Sequence, residues 1–283
     1  MIKTPQERAV EMILTAIAEH PHLSGDFLLK GGRLMHQKYK SPRTTTDIDF
    51  SSSRKSLNKA VENEIKADLN EALQDETIKP ESFFSKAEVS SIKIKPSKKF
   101  HADGTPKKRT FPALYIKIKS IPKGKRTEII TDLDCSFNEF TGERDKILLN
   151  QQTGCEIACY SLEMLVAEKF RALLQQEKRN LARYQDIFDL HFLISNYRES
   201  LAKQRALILD YLQHSLRNKE IDALFCATAL DSKALKSRAK TGYETLKTDL
   251  SEEELPDFEL AYEAVNRYFK SLPWLEENWS NPL

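Results

Sequence analysis

The sequence lacks the features that would place it in a membrane or an oxidising compartment. No window approaches the ~18 consecutive apolar residues of a membrane-spanning helix, and the polar, acidic start does not fit a secretory signal. The four cysteines form no C-x-x-C pair, and the six histidines do not complete a zinc pattern with them. We therefore expect a cytoplasmic protein with reduced thiols and no membrane contact.

A large net charge is also absent, because 44 Lys and Arg oppose 42 Asp and Glu. The charge is nevertheless segregated along the chain. Residues 86–126 carry 13 Lys or Arg and two acids, a net of +11, whereas residues 249–283 carry nine acids and two bases, a net of −7. Lysines that only protect edge strands explain a few of these positions. The excess favours contact of segment 86–126 with nucleic acid, RNA above all, through its phosphates.

Hydrophobic periodicity predicts an α+β chain in two parts. The elements expected in the first part are, in order, a helix at 6–19, a break at 21–25, a strand at 27–29, a helix at 33–39, a strand at 46–51, a helix at 57–73 and strands at 92–95, 115–119 and 128–137. From about residue 161 the periodicity is helical, and Ser251 with Glu254 forms a capping-box pattern. We expect an α+β lobe over 1–150 and a helical lobe over 151–283.

Two aspartates, Asp47 and Asp49, fall in one predicted strand with a single residue between them. Residues two apart in a strand project from the same face, so both carboxylates point one way while Ile48 and Phe50 anchor the other face. Paired carboxylates suit Mg²⁺, which prefers oxygen ligands and is often shared with phosphates. A D-x-D pattern is also common at solvated strand ends, so the pair alone is a weak signal.

A glycine pair, Gly31 and Gly32, is separated from Asp47 by fourteen residues and falls at a predicted strand-to-helix turn. Glycines there let backbone N–H groups approach a phosphate, and the following helix N-terminus favours an anion. Most Gly-Gly turns are only turns. The ordered combination is more specific, because one local unit would supply both a phosphate cradle and metal ligands.

A third carboxylate is expected on a neighbouring strand, where Asp132 and Asp134 again share a face. Three carboxylates suit two metal ions roughly 3.5–4 Å apart, which activate an attacking hydroxyl and stabilise a pyrophosphate leaving group. We favour Asp134 because apolar Leu133 and Cys135 flank it. Asp132 is the alternative ligand. Alternatively, this pair marks only a solvated strand end with no role in metal binding.

Charged residues interrupt the apolar stripes of two predicted helices. Lys169 falls within one stripe and Asp186 within another, and a buried charge needs an opposite charge. Lys169 therefore snorkels to solvent, forms a structural ion pair, or meets a nucleotide phosphate. Either Lys169 or Arg183 is expected to partner Asp186. Asp189, on the same side of its helix, shares that role.

These motifs resemble the DNA polymerase β-like nucleotidyltransferase superfamily, and above all its AbiEii/AbiGii toxins. The runs L-K-G-G and R-T-T-T-D-I-D-F look like the opening motif, and Ser161–Leu173 is similar to the lysine-bearing helix of these toxins. Arg183–Leu190 resembles their R-x-K-D-x-x-D-L motif, with Gln185 in place of the lysine. Gly32 replaces a serine found in many polymerase β-like enzymes, which leaves backbone N–H groups to contact phosphate.

The resemblance implies a catalytic lobe with a mixed sheet over 1–150 and a helical lobe over 151–283 that completes the nucleotide site. It implies transfer of a nucleoside monophosphate from an NTP to a hydroxyl, with NTP bound between the lobes. Mg²⁺, or Mn²⁺ as the alternative, is expected on Asp47, Asp49 and Asp134. The implied catalytic residues are these three with Lys169 and Asp186; the implied nucleotide-binding residues are Lys30, Gly31, Gly32, Lys169, Arg183 and Asp189.

The resemblance also implies an RNA acceptor, with the tRNA 3′ end as the leading candidate. It further implies the role of a toxin in a type IV-like toxin–antitoxin or abortive-infection phage-defence system, with a cognate antitoxin as partner. An acidic antitoxin surface is the main alternative partner for segment 86–126. Two other functions remain open. In the first, the acceptor is a protein or a small molecule, and the basic segment argues against a small acceptor. In the second, the chain is a catalytically silent module that binds RNA or an antitoxin, and the intact Asp47 and Asp49 argue against this.

Overall fold

The computed structural model describes residues 3–96, 99, 105, 108, 110–251 and 254–274. The chain divides into two compact units. The first unit holds the chain up to Lys40 together with Thr44–Ser161, and the second holds Ser41–Arg43 together with the chain from Leu162 onward. Three basic residues of segment 86–126 lie outside the described residues: Lys98, Lys107 and Arg109.

The first unit is built on a seven-stranded mixed sheet. Its strands are β1 (Phe27–Lys30), β2 (Ile48–Ser52), β3 (Phe84–Lys95), β4 (Ala113–Pro122), β5 (Ile129–Ser136), β6 (Arg144–Asn150) and β7 (Cys155–Tyr160). The order across the sheet is β3-β4-β5-β2-β1-β7-β6. The β2–β5 and β1–β7 pairs are parallel and the other four are antiparallel. The prediction of an α+β fold with a mixed sheet is confirmed.

The helices described in this unit accompany the first two strands. They are α1 (Pro5–Glu19), α2 (Pro21–Asp26), α3 (Gly31–Tyr39) and α4 (Lys59–Ile78). A capping box between Thr4 and Glu7 starts α1, and the Asn58 side chain caps α4 by accepting a hydrogen bond from the Val61 N–H. The break predicted at 21–25 is wrong. A helix forms there because Pro21 occupies the first helical turn, where its missing N–H has no intrahelical partner to lose.

Alternation of buried and exposed residues explains β4 and β5, the strands that the sequence predicts most clearly. In β4, Leu114, Ile116 and Ile118 are fully buried while the residues between them are partly exposed. The same period places Leu133 and Cys135 of β5 in the core. Tyr115 and Lys117 of β4, and Asp132 and Asp134 of β5, are thereby brought to the opposite face of the sheet.

The second unit is helical in its described residues. Its helices are α5 (Leu162–Leu174), α6 (Gln176–Arg179), α7 (Tyr184–Asn196), α8 (Arg198–Lys203), α9 (Arg205–Asn218), α10 (Lys233–Lys240) and α11 (Phe258–Lys270). The helix start predicted at Ser251 is wrong. Ser251 N–H and Oγ do bond to Glu254 Oε2, both at 2.9 Å, but α11 begins at Phe258 behind the cap Asp257. Pro256 has no N–H with which to continue the earlier turn.

None of the helices among the described residues is long and apolar enough to cross a membrane. The four cysteines are free thiols, and Cys226 is the exposed one. Burial raises the pKa of Cys155 and of Cys159, each to about 11, so these two thiols stay protonated near neutral pH.

Candidate active site

A transverse row of five side chains crosses the sheet at the carboxyl end of β1. Backbone pairing aligns Lys93 with Tyr115, and Tyr115 with Asp134. It also aligns Asp134 with Asp49, and Asp49 with Lys30. Residues directly opposite one another on neighbouring strands project from the same face. The transverse row therefore sets two carboxylates between a lysine on one side and an aromatic ring and a second lysine on the other.

Asp49 and Asp134 are held by the core beneath them. Their neighbours along the chain, Ile48, Phe50, Leu133 and Cys135, are all 0% exposed and face the opposite side of the sheet. Because β2 and β5 are adjacent, the two backbone positions are about 4.8 Å apart. The predicted apolar anchors are confirmed, and they fix both carboxylates on rigid strands.

Asp47 differs from the geometry that the sequence predicts. Strand β2 begins at Ile48, so Asp47 lies just before it and is exposed, with a hydrogen bond from Thr46 Oγ1 at 3.3 Å. Pairing with β5 starts at Ile48, and pairing with β1 reaches only to Asp49. Without a partner strand, Asp47 is not held rigidly beside Asp49.

Negative charge is concentrated around Asp134. Burial raises the pKa of its carboxyl, and the charges of Asp47 and Asp132 raise the pKa further. Lys95 and Lys30 oppose this shift but do not cancel it. Carboxylate oxygens that repel one another are the donor set that a hard divalent cation stabilises. These residues therefore fit Mg²⁺ or Mn²⁺.

Asp132 and Asp134 have different surroundings although they share a face of β5. Asp132 Oδ1 accepts a hydrogen bond from Lys117 Nζ at 2.7 Å, and both side chains are partly exposed. Lys117 also lies 5.3 Å from the centre of the Tyr115 ring. Asp132 thus has a cation of its own on β4, whereas Asp134 stands directly opposite Asp49 on β2.

Gly31 brings the start of α3 against the Asp49 carboxylate. Its φ is +68°, in the left-handed region that favours glycine. A Cβ at this position would lie 3.1 Å from Asp49 Cβ and Cγ and closer still to Oδ2. Gly31 and Gly32 are the first two residues of α3, whose N–H groups have no acceptor within the helix. Backbone N–H groups without an acceptor in the helix therefore adjoin Asp49, a metal-ligand candidate.

Lys30 is oriented by a glutamate that the sequence analysis missed. Its Nζ lies 2.6 Å from Glu139 Oε2, and both side chains are 12% exposed. Ser51 Oγ donates to the same oxygen at 2.9 Å and lies 2.7 Å from the Tyr160 hydroxyl. Glu139 follows β5 in an irregular segment without periodicity, so no local pattern marks it.

The second unit contains a buried ion cluster of Arg43, Lys169, Asp186 and Asp189. Asp189 is 0% exposed and accepts hydrogen bonds from Arg43 Nε at 3.0 Å, Arg43 Nη2 at 2.9 Å and Lys169 Nζ at 2.6 Å. Lys169 is 3% exposed and also lies 3.3 Å from Asp186 Oδ1. Arg183 Nη1 lies 3.9 Å from Asp186 Oδ2. Lys169 is thus held between two carboxylates.

The two aspartates of this cluster are perturbed in opposite directions. Burial alone would raise the pKa of Asp189, but the charges and hydrogen bonds of Lys169 and Arg43 lower it overall. Burial raises the pKa of Asp186, and the charges of Lys169 and Arg183 only partly offset it. Asp189 is therefore the firmly ionised partner of Lys169, and Asp186 is the more weakly held one.

Arg43 is the second residue that the sequence analysis missed. It belongs to Ser41–Arg43, the short segment that groups with the helical unit although it precedes β2. The run R-T-T-T-D-I-D-F begins with it, but local spacing gives it no role. Its bidentate contact with Asp189 links residues 146 positions apart. Such a contact becomes visible only in the folded chain.

A protein-family model matches most of the chain. The model describes the nucleotidyl transferase AbiEii toxin of type IV toxin–antitoxin systems, and the match covers residues 13–264. The chain belongs to this AbiEii family. It is therefore a nucleotidyltransferase, as the motifs predict. The match extends from α1 to α11 and so includes the transverse row and the ion cluster.

Solved structures of similar proteins include two bacterial examples. JHP933 from Helicobacter pylori has 18% sequence identity and a TM-score of 0.43, and the similarity covers 93% of this AbiEii chain and 92% of that chain. MenT4, a nucleotidyltransferase toxin from Mycobacterium tuberculosis, has 14% identity and a TM-score of 0.44, with 93% and 91% covered. A search of curated proteins gives no significant match.

Proposed function

We propose that this AbiEii-family chain transfers a nucleoside monophosphate from an NTP to the 3′ hydroxyl of an RNA in a metal-dependent reaction. The tRNA 3′ end is the leading acceptor. In this proposal the chain acts in the cytoplasm as the toxin of a phage-defence system, restrained by a cognate antitoxin. In this proposal the first unit is the catalytic lobe, and residues of the second unit contribute to the nucleotide site. The alignment of Asp49 with Asp134 beside Gly31 is the main support.

Asp47, Asp49 and Asp134 would hold Mg²⁺, or Mn²⁺. Bound there, the cation activates the attacking hydroxyl and neutralises charge on the pyrophosphate that leaves. Asp134 would either complete the ligand set or accept the hydroxyl proton. Asp47 lies outside the strand ladder, so its carboxylate can adjust to the ion with little distortion of the sheet.

The nucleotide would be bound by backbone and side-chain donors. Gly31 and Gly32 offer N–H groups at the start of α3, where the helix dipole favours a phosphate. In the second unit, Lys169 and Arg183 would neutralise phosphate charge while Asp189 holds Lys169 in position. Lys169 can accept a phosphate by exchanging its 3.3 Å contact with Asp186, the weaker of its two ion pairs.

The transverse row supports a nucleic-acid acceptor. Lys93 lies two strands from Asp134, roughly 10 Å away, with Tyr115 between them. A lysine contacts a backbone phosphate and an aromatic ring stacks on a base, the combination that binds single strands without sequence readout. Lys93 and Lys95 are exposed at the end of β3. An RNA end that approaches the carboxylates from this side meets both of these lysines.

Part of the basic segment is neutralised within the protein. Lys117 pairs with Asp132 at 2.7 Å and Lys119 pairs with Glu128, two acids that lie outside segment 86–126 and are not counted in its net charge. These lysines contribute less to the attraction of a polyanion than the total of +11 suggests. We therefore assign the acceptor contact to Lys93 and Lys95 first. An acidic antitoxin surface is the rival partner for the same two residues.

The acceptor is identified by incubating the tag-free protein with Mg²⁺, total RNA and each α-labelled NTP in turn. We expect label at RNA 3′ ends. Asp134→Asn should reduce the rate at least 100-fold, about 2.7 kcal/mol of barrier. Asp132→Asn, on the same strand and face, should stay within about fivefold of wild type, about 1 kcal/mol. Label found only in protein or in a small molecule would exclude the RNA acceptor.

The RNA contact is tested separately. The double variant Lys93→Ala/Lys95→Ala should raise KM for RNA and leave KM for NTP unchanged. The slope of log binding constant against log salt concentration should become shallower by about 0.7 for each phosphate contact that is lost. Lys146→Ala, at the far edge of the sheet and paired with Glu156, is the matched control. An unchanged KM for RNA in the double variant would favour the antitoxin as the partner of this surface.

A further inference from the structure

A second group of ligand-bearing side chains lies in the first unit, before the amino end of β1. His20, His22 and Asp68 each offer one ligand atom, and these atoms all lie within 4.8 Å of one another. We propose that the three side chains bind a divalent transition metal of the zinc class. This site is separate from the carboxylates of the transverse row and does not depend on the proposed reaction.

Rigid elements position the three ligands. His20 ends α1 and caps α2, and His22 is the second residue of α2. Pro21 stands between them and restricts the backbone at this corner. Asp68 lies in the middle of α4, which packs against α2. Ligands on packed helices keep their geometry better than ligands on loops, as a metal site requires.

Two atoms of this group are buried without a hydrogen-bond partner. They are His20 Nδ1 and Asp68 Oδ2. His20 is 8% exposed, and the nearest recorded partner of Asp68 Oδ2 is His22 Nδ1 at 3.4 Å, a long contact. Buried polar atoms without partners are costly and rare in native proteins. A metal ion bound by this group would compensate Asp68, and a solvent route exists because the His22 side chain is 69% exposed.

The donor set indicates the class of metal. Two imidazoles with one carboxylate and an open fourth position are typical zinc ligands, whereas Mg²⁺ and Ca²⁺ prefer oxygen alone. Glu64, one turn before Asp68 on α4, is bound by Arg54 Nη2 at 2.7 Å. Water is therefore the expected fourth ligand. Zn²⁺ is the metal expected to bind, and Co²⁺ is its spectroscopic substitute.

The position within the fold separates this site from the transverse row. His20 and His22 precede Phe27, the first residue of β1, whereas Asp49 pairs with Lys30, its last. Three residues of strand span roughly 10 Å. A metal bound by the histidines would tie α2, the segment that leads into β1, to α4. The site would thus hold the chain segment that enters β1 against α4.

The test titrates the full-length, tag-free protein with Zn²⁺ by calorimetry and with Co²⁺ by visible absorption. We expect wild type to bind Zn²⁺, and His22→Ala or Asp68→Asn to lower the Zn²⁺ affinity more than about 10-fold. Removal of a residue that only orients a metal ligand already costs about 10-fold or more, so removal of a ligand should cost at least as much. Asp49→Asn should keep the site. His214→Ala is the matched control, because His214 is an exposed histidine 3.5 Å from Asp210 in the second unit.

Folding of each variant is checked by circular dichroism with EDTA present. In separate thermal melts without EDTA, Zn²⁺ should raise the unfolding midpoint of wild type, of Asp49→Asn and of His214→Ala but not of His22→Ala. Since His22 is mostly exposed, its replacement is not expected to unfold the chain. Equal Zn²⁺ affinity in wild type and His22→Ala, or loss of the site in Asp49→Asn alone, would overturn the proposal.

Discussion

Replacement of Asp189 by asparagine should strongly destabilise the second unit. The carboxylate is fully buried and accepts three charge-assisted hydrogen bonds, two from Arg43 and one from Lys169. Asparagine keeps the shape but removes the negative charge, which leaves two buried cations with Asp186 alone. Loss of one partner from a buried ion pair costs about 3–5 kcal/mol. We expect the free energy of unfolding to fall by that amount.

Asp186→Asn is the matched control for this prediction. Asp186 is close to the same lysine, but its contact is longer at 3.3 Å, and its Oδ2 has no hydrogen-bond donor. Its raised pKa means that its surroundings already disfavour the charge. Neutralisation should therefore cost less, about 1–2 kcal/mol. The order of the two losses tests the assignment of Asp189 as the principal partner of Lys169.

The effect of Asp189 should also depend on pH. Its pKa is lowered from the ordinary value of 3.8, so the unfolded chain takes up the proton at higher pH than the folded chain. The stabilisation is therefore complete above the ordinary value and is lost as pH falls through the lowered pKa of the folded state. The difference between wild type and Asp189→Asn should be constant near neutral pH and shrink below pH 3.8.

Urea unfolding followed by tryptophan fluorescence measures these losses. The ring centres of Trp274 and Phe269 lie 4.9 Å apart in the second unit, so the fluorescence of Trp274 reports unfolding there. A stability of Asp189→Asn within about 1 kcal/mol of wild type, which is the range of an exposed ion pair, would refute Asp189 as the principal partner of Lys169. A larger loss in Asp186→Asn than in Asp189→Asn would refute it as well.

Two further substitutions test the first unit. Gly31→Ala should lower the free energy of unfolding by about 1–2 kcal/mol, because alanine disfavours the left-handed backbone at this position. By displacing the Asp49 carboxylate, it should also reduce nucleotidyl transfer more than tenfold. Gly124→Ala, with φ +71° and open space around it, should show only the loss of stability. Equal activities in the two variants would contradict the close approach of Gly31. Glu139→Gln should cost about 1–3 kcal/mol in urea unfolding, because it weakens a largely buried contact with Lys30; an unchanged midpoint would show that the contact contributes nothing.

Local patterns predict the parts of the fold that short-range physics determines. Strand alternation identifies β4 and β5, and it anchors Asp49 and Asp134 correctly because their neighbours must be buried. Residue spacing does not determine the strand ends. Pairing with neighbouring strands decides that β2 begins at Ile48 and leaves Asp47 outside. Strands β6 and β7 escape prediction because the run R-D-K-I-L-L-N does not alternate and C-E-I-A-C-Y is short.

Contacts between distant residues are the part that the sequence does not reveal. Glu139 meets Lys30 across 109 positions, and Arg43 meets Asp189 across 146. Neither residue belongs to a periodic pattern, so neither shows its role before folding. Asp47, Asp49 and Asp134 could be predicted as metal ligands because carboxylates two residues apart in a strand share a face and because they occur in order with the glycine pair. Their partners could not, because those roles depend on three-dimensional proximity.

The most direct test of the account is nucleotidyl transfer by Asp49→Asn. Asp49 aligns with Asp134 and touches the start of α3 at Gly31, so it joins the proposed metal and phosphate sites. With RNA, labelled NTP and Mg²⁺ all saturating, the account predicts a rate at least 100-fold below wild type, about 2.7 kcal/mol, with an unchanged unfolding midpoint. Transfer within about fivefold of wild type, about 1 kcal/mol, would contradict it.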